Sequence, residues 1–115
     1  MSERDREILG IITELCETCA DILEKIDYDY TVFSENKIYS YSCSMCVLQI
    51  GELSSRLSEE FKSKYSHIPW RVIKDTRNFY VHNYFSVDMS ILWSTITEYL
   101  PDLKIKCDNI ISDLS

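Results

Sequence analysis

Eight consecutive residues, Arg77-Asn78-Phe79-Tyr80-Val81-His82-Asn83-Tyr84, carry a permanent cation, a carboxamide, an imidazole and a phenol. An unperturbed imidazole titrates near neutrality, so His82 can act as a general base or a general acid. A guanidinium can grip a phosphate through two N–H bonds, which gives Arg77 an anion to hold and a developing charge to stabilise. On a helix advancing about 100° per residue, Asn78 and His82 face nearly the same way, so Asn78 can orient the imidazole or the phosphate. Arg77 and Tyr84 share a neighbouring face. Phe79, Tyr80, Val81 and Phe85 interleave as apolar anchors. A histidine near an arginine is most often an ordinary surface or satisfied residue, and spacing alone does not make it catalytic.

The elements that must hold this stretch read as helices. Ser2-Glu3-Arg4-Asp5 has the form of a capping box. After it Ile8, Ile11, Ile12, Leu15, Cys19, Ile22, Leu23 and Ile26 recur at helical steps, a helix of about six turns. Asp27-Tyr28-Asp29-Tyr30 breaks the pattern. Ser34 is a candidate cap for a second helix reaching about Phe61, with Ile38, Tyr41, Met45, Val47, Leu48, Ile50, Leu57 and Phe61 spread over more than one stripe. Such a spread predicts contacts both inside the bundle and beyond it. Gly51 in its middle costs up to roughly 1 kcal/mol of helix propensity, and close approach of another helix would explain it. His67-Ile68-Pro69-Trp70 opens the helix with the chemical residues, Pro69 standing where its missing N–H costs little. Ser86-Val87-Asp88 starts a fourth helix, and Pro101 either kinks it or begins a short fifth. The expected fold is therefore all-α, an antiparallel four-helix bundle with a short or kinked C-terminal fifth helix, in one domain over residues 1–115.

Composition narrows the function classes. Two glycines and two prolines are too few for an all-β chain. No apolar run of about 18 residues exists, and the Ser-Glu-Arg-Asp start does not read as a signal peptide. The expectation is a soluble cytoplasmic protein without a membrane partner. The net charge of −7 looks wrong for a protein that handles RNA. Its distribution is more favourable: residues 56–77 hold six bases and three acids, +3, and the rest six bases and sixteen acids, −10. Arg71 and Lys74 in that basic segment are candidate substrate contacts. A locally positive surface on an acidic body can hold a phosphate backbone, with strong salt dependence; the alternative is an ordinary solvated helix end.

Cys16-x-x-Cys19 and Cys43-x-x-Cys46, separated by 23 residues, resemble zinc-ligand spacing. Both pairs fall inside helices rather than knuckle turns, without flanking glycine or basic residues. Cysteine also packs well as a small hydrophobe. The reading is packing, with no metal and no cofactor; a structural zinc or a disulfide is the lesser alternative, and Cys107 is a further lone thiol.

Arg-x4-His-x-Tyr, with Asn directly after the Arg, resembles the signature of the HepT-like ribonuclease toxins, a branch of the HEPN superfamily. Gln49-Ile50-Gly51-Glu52 resembles the family's Ile-Gly-Glu segment, and Ile68-Pro69-Trp70-Arg71 its lead-in to the motif helix. Tyr84-Phe85-Ser86-Val87-Asp88, Trp93 and Leu100-Pro101-Asp102-Leu103 continue in family order. Arg4-Asp5 followed by Ile8-Leu9 fits too, so nearly the whole chain is covered.

The resemblance implies a HEPN-like bundle and a metal-independent endoribonuclease, the toxin of a toxin–antitoxin pair. Arg77, Asn78 and His82 would be catalytic, Tyr84 would contact substrate, and Glu52 would belong to the functional neighbourhood. RNA cleavage without metal needs both an acid and a base, while one chain offers one motif histidine. Two motifs meeting across a homodimer would supply the pair, as the family is understood to do. The family's partner is a minimal nucleotidyltransferase antitoxin (MntA-like) that transfers AMP to the motif tyrosine, by resemblance Tyr84. The rival readings are a non-catalytic HEPN binding module or scaffold partner of that nucleotidyltransferase, and a zinc-stabilised interaction protein.

Overall fold

The computed structural model describes the backbone of residues 1–82 and 88–113, and the side chains of residues 1–76 and 88–113. Every regular element among the described residues is helical. In chain order they are α1 (Glu3–Lys25), α2 (Tyr30–Glu35), α3 (Lys37–Ser55), α4 (Glu59–Lys64), α5 (Trp70–His82) and α6 (Met89–Ser94). A π-helical turn (Thr95–Tyr99) then runs directly into α7 (Leu100–Asp113). The expected all-α bundle is present, with α1, α3, α5 and the α6–α7 run as its long members.

α1 starts where expected, because the Ser2 hydroxyl accepts from the Asp5 N–H at 3.1 Å. Its buried stripe is Ile8, Leu9, Ile12, Cys16, Cys19 and Leu23, continued by Ile26 beyond the helix end. Ile11, placed on the stripe from sequence, is instead 43% exposed. Leu9 and Cys16 take the inward positions, since the three-and-four spacing fits equally well one residue over. The helix closes on a left-handed pair, Asp27 and Tyr28, at φ 53° and 55°. Tyr28 N–H reaches back to the Leu23 carbonyl at 2.9 Å and Asp27 N–H to Glu24 at 3.1 Å, covering carbonyls the helix leaves open.

The expected long second helix is divided into three. Asp29 caps α2 by accepting from Val32 N–H, and Asn36 both ends α2 and caps α3 by accepting from Ile38 N–H at 2.9 Å. Ser34, the cap expected from sequence, lies inside α2 and donates to the Thr31 carbonyl. α2 is held by one fully buried residue, Phe33, whose ring sits 5.2 Å from that of Trp93; Tyr30 meets the same indole at 5.4 Å. α3 stops at Arg56, and Ser58 starts α4 by accepting from Phe61 N–H at 3.1 Å. Phe61 then turns inward among Tyr65 and Trp70. Gly51 is buried in α3.

Pro101 neither stops nor shortens the C-terminal helix. Leu100 N–H bonds to the Thr95 carbonyl, the longer π step, so the register shifts just before the residue that cannot donate. α7 then buries Leu100, Leu103, Cys107 and Ile110 on one stripe. α1 packs against α3 and α7, and α3 against α5. The start of α1 bonds to Ser58, just past the end of α3, so these two helices run antiparallel. No helix among the described residues is long and apolar enough to cross a membrane.

Candidate active site

α5 is the element that organises the candidate residues. Its approach is fixed by Ile68 and Ile73, both buried, and by the Trp70 indole N–H donating to the Tyr65 carbonyl at 3.1 Å. From Trp70 the helix runs unbroken to His82. That continuity sets register. Counted at about 100° per residue, Arg71, Lys74, Asn78 and His82 fall within roughly 80° of arc. Arg71 and Lys74 are exposed, and among the described residues neither has an ion-pair partner. Exposed Asp75 sits at the edge of the same stripe. One side of α5 thus offers solvent two cations, followed by the positions of a carboxamide and an imidazole.

The side chains of Arg77, Asn78 and His82 lie outside the described side chains, and Tyr84 lies outside the described residues. Their backbone register, up to His82, is what α5 fixes. Glu52 stands on α3, the helix packed against α5, and is partly buried. Its carboxylate meets the Arg56 guanidinium at 3.4 Å, one turn along.

The other side of α5 faces a groove of about 620 Å³ between α3, α5 and the α6–α7 run. Val72, Ile73 and Thr76 line it from α5, opposite the Arg71–His82 stripe; Glu98, Tyr99 and Asp102 close the far wall. The Tyr99 hydroxyl is buried and has no hydrogen-bond partner among the described residues, and burial, helped by Asp102, pushes its phenol up to about 12. Among the described residues, Glu98 and Asp102 make this wall acidic. Sequence reading missed this groove, because only packing brings residues 47, 76 and 98 together.

The cysteines are likewise gathered by packing. All five are reduced and buried, including Cys107, which had no visible partner in sequence and sits on α7 close to Cys16. Among the described residues, no group of three or more His, Cys, Asp or Glu side chains is arranged to hold a metal ion.

Comparison with known proteins identifies the family. The family model of HepT-like ribonucleases matches residues 12–110. The chain is 31% identical over 105 residues to a protein of Methanocaldococcus jannaschii named "Putative RNase MJ1380", spanning 90% of this chain and 94% of that one. It is 29% identical over 110 residues to a protein of Thermococcus cleftensis named "Probable ribonuclease HepT", spanning 96% of this chain and 98% of that one. No solved structure matches it significantly. With the family match running from α1 into α7, the chain belongs to the HepT-like ribonuclease family.

Proposed function

We propose that this chain is the toxin of a toxin–antitoxin pair, a metal-independent endoribonuclease that works as a homodimer. The observation that carries the reading is the α5 stripe, which aligns two exposed cations, without ion-pair partners among the described residues, with the positions of Asn78 and His82. Arg71 and Lys74 hold the RNA backbone electrostatically. One His82 takes the ribose 2′-hydroxyl proton, and the freed oxygen attacks phosphorus. As the 5′-oxygen leaves, the His82 of a second copy returns a proton to it, leaving a 2′,3′-cyclic phosphate. Arg77 holds the non-bridging oxygens as charge builds on them.

The homodimer reading has support in α3. Ile38, Tyr41 and Met45 recur at three- and four-residue steps, and they are 74%, 56% and 42% exposed. Apolar residues in such a row are unfavourable in water and suit an isologous contact.

Control by a minimal nucleotidyltransferase antitoxin follows from the family resemblance. Transfer of AMP to the Tyr84 hydroxyl adds a negative phosphodiester and a nucleoside two residues beyond His82. Charge and bulk there compete with RNA for Arg77.

The test is cleavage of a mixed RNA by the purified protein with and without a chelator. Undiminished cleavage in chelator is expected from wild type and none from His82→Ala. Arg77→Lys should also be severely impaired, because a point charge cannot reproduce the two-pronged phosphate contact. A His82→Ala protein that cleaves like wild type overturns the mechanism.

A further inference from the structure

The turn between α4 and α5 gathers aromatic rings and cations beside the α5 stripe. Trp70 stands one turn before Lys74, about 40° from it around the helix axis, so whatever packs on Trp70 borders the cationic face. The Trp70 indole N–H donates to the Tyr65 carbonyl at 3.1 Å, and the Ile68 N–H donates to the same carbonyl at 3.1 Å. Tyr65 is thereby fixed against the start of α5. Its ring rests on buried Phe61 at 4.8 Å between centroids, and Phe61 in turn meets Trp70 at 5.9 Å. His67, which is exposed, stands against Tyr65 at 6.3 Å, the two rings turned 70° to each other. The Lys64 ammonium lies 5.5 Å from the centroid of the same phenol ring.

Packing accounts for only part of this group. Phe61 and Ile68 belong to the core, and Tyr65 and Trp70 pack against it. Lys64 and His67 do not: both are exposed, and neither makes an ion pair among the described residues. An edge-on contact lets Tyr65 cover at most one face of the imidazole, and the exposure of His67 leaves a face to solvent. That flat face matches a nucleobase, since aromatic side chains, histidine included, stack on unpaired bases. Lys64, Arg71 and Lys74 place three cations around it for the phosphates on either side of such a base.

We propose that His67, braced by Tyr65, is a stacking platform for an unpaired nucleobase, and that the RNA this ribonuclease takes is single-stranded. The inference rests on the reading of Arg71 and Lys74 as backbone contacts. A duplex keeps its base faces stacked inside, so it has nothing to offer an aromatic platform. It also brings two strands of phosphate to a chain that carries −10 outside residues 56–77, whereas one strand can follow the local cations. From Trp70 to His82 the helix advances about 18 Å, so the stacked base is not the nucleotide that His82 meets. The platform grips the strand away from the bond that is cut. Because every base has a π-face, it adds affinity with little sequence preference.

The probe is a short single-stranded 2′-fluoro oligouridine, which lacks the attacking hydroxyl, with one base replaced by photoreactive iodouridine. After irradiation of the complex with wild-type protein, trypsin leaves Tyr65 and His67 on peptide 65–71. The expected product is that peptide joined to the probe, with fragmentation placing the link at His67 or Tyr65. In titrations, His67→Ala should weaken binding of the single strand by at least about fivefold, and His67→Phe, which keeps a flat ring, should restore it. The same substitutions should leave affinity for a duplex unchanged. The proposal is overturned by no link, by a link at any other residue, or by wild-type affinity of His67→Ala for the single strand. Recovery by His67→Lys but not by His67→Phe would make this a charge contact and overturn it as well. The crosslink is read on wild type, so it stands even if a variant fails to fold. A link at His67 combined with an unchanged salt slope in Arg71→Ala would keep the platform and remove only the backbone reading.

Discussion

Asp5 and Ser58 are fastened to each other across 53 residues of sequence. The Asp5 carboxylate accepts from the Ser58 N–H at 3.0 Å and from its hydroxyl at 2.7 Å. Asp5 is 97% buried by area (3% exposed), yet it sits at the first turn of α1, where the helix dipole favours an anion. The contact ties the start of α1 to the cap of α4, and α4 leads through Trp70 into α5. The scaffold under the α5 stripe is anchored there.

This contact should make folding stability acid-sensitive. Burial acts to raise the Asp5 pKa, but hydrogen bonds from the Ser58 hydroxyl and N–H, with Ser2, bring it below its ordinary 3.8. A carboxyl lowered in the folded state stabilises the fold above its unfolded pKa, and that share is lost as pH falls through the folded value. Urea unfolding of wild type should therefore weaken below about pH 4 more steeply than that of Asp5→Asn. At neutral pH, Asp5→Ala should cost about 1–3 kcal/mol, because it removes two hydrogen bonds that exposed Ser58 donates to a buried carboxylate. Parallel pH curves for wild type and Asp5→Asn would show that the contact carries no such linkage.

RNA affinity should fall by a similar factor for all sequences in Arg71→Ala and in Lys74→Ala. Each replacement should reduce the slope of log affinity against log salt by about 0.7, the single-strand value per phosphate contact. Both residues are exposed, so melting temperature should hardly move. Binding titrations at several salt concentrations check this, and an unchanged slope would place these cations off the RNA path.

Charge on the exposed α3 row should split the proposed homodimer without unfolding the chain. Ile38→Glu combined with Met45→Glu replaces two exposed apolar side chains, so the monomer should keep its helicity. Light scattering should report monomer at concentrations where wild type is dimeric, and RNA cleavage should fall with it. A fully active, dimeric double variant would move the interface elsewhere.

Tyr84→Phe should remain folded and refuse the nucleotide. Removing one phenolic hydroxyl should change stability by under about 1 kcal/mol unless a buried bond is lost. Intact mass after co-expression with the nucleotidyltransferase should show AMP on wild type and none on the variant. Equal modification of both would assign the acceptor elsewhere.

Local patterning in the sequence determined the all-α class, the place where α1 begins and the helical register that strings Arg71, Lys74, Asn78 and His82 along α5. Capping and three-and-four periodicity act within one or two turns, so they are readable from neighbours. Asp88, read as part of a helix start, does cap α6 through Ser90 and Ile91 N–H. The motif itself was legible for the same reason: it occupies eight consecutive residues.

Other features required the packed chain. Ser34 and Asn36 can both start a helix, and the choice fell to Asn36 because Phe33 is drawn onto Trp93, some sixty residues away, which makes α2 a separate turn. The rotation of α1 that exposes Ile11 and buries Cys16 depends on which face α3 and α7 cover. Asp5 looked like half of a local capping box, yet its carboxylate is taken by Ser58. The cysteines read as two separated pairs and a single, and only the packing of α1 on α3, with α7 alongside, buries all five in one core. Contacts between distant residues depend on how whole faces fit together, and no short window of sequence contains that information.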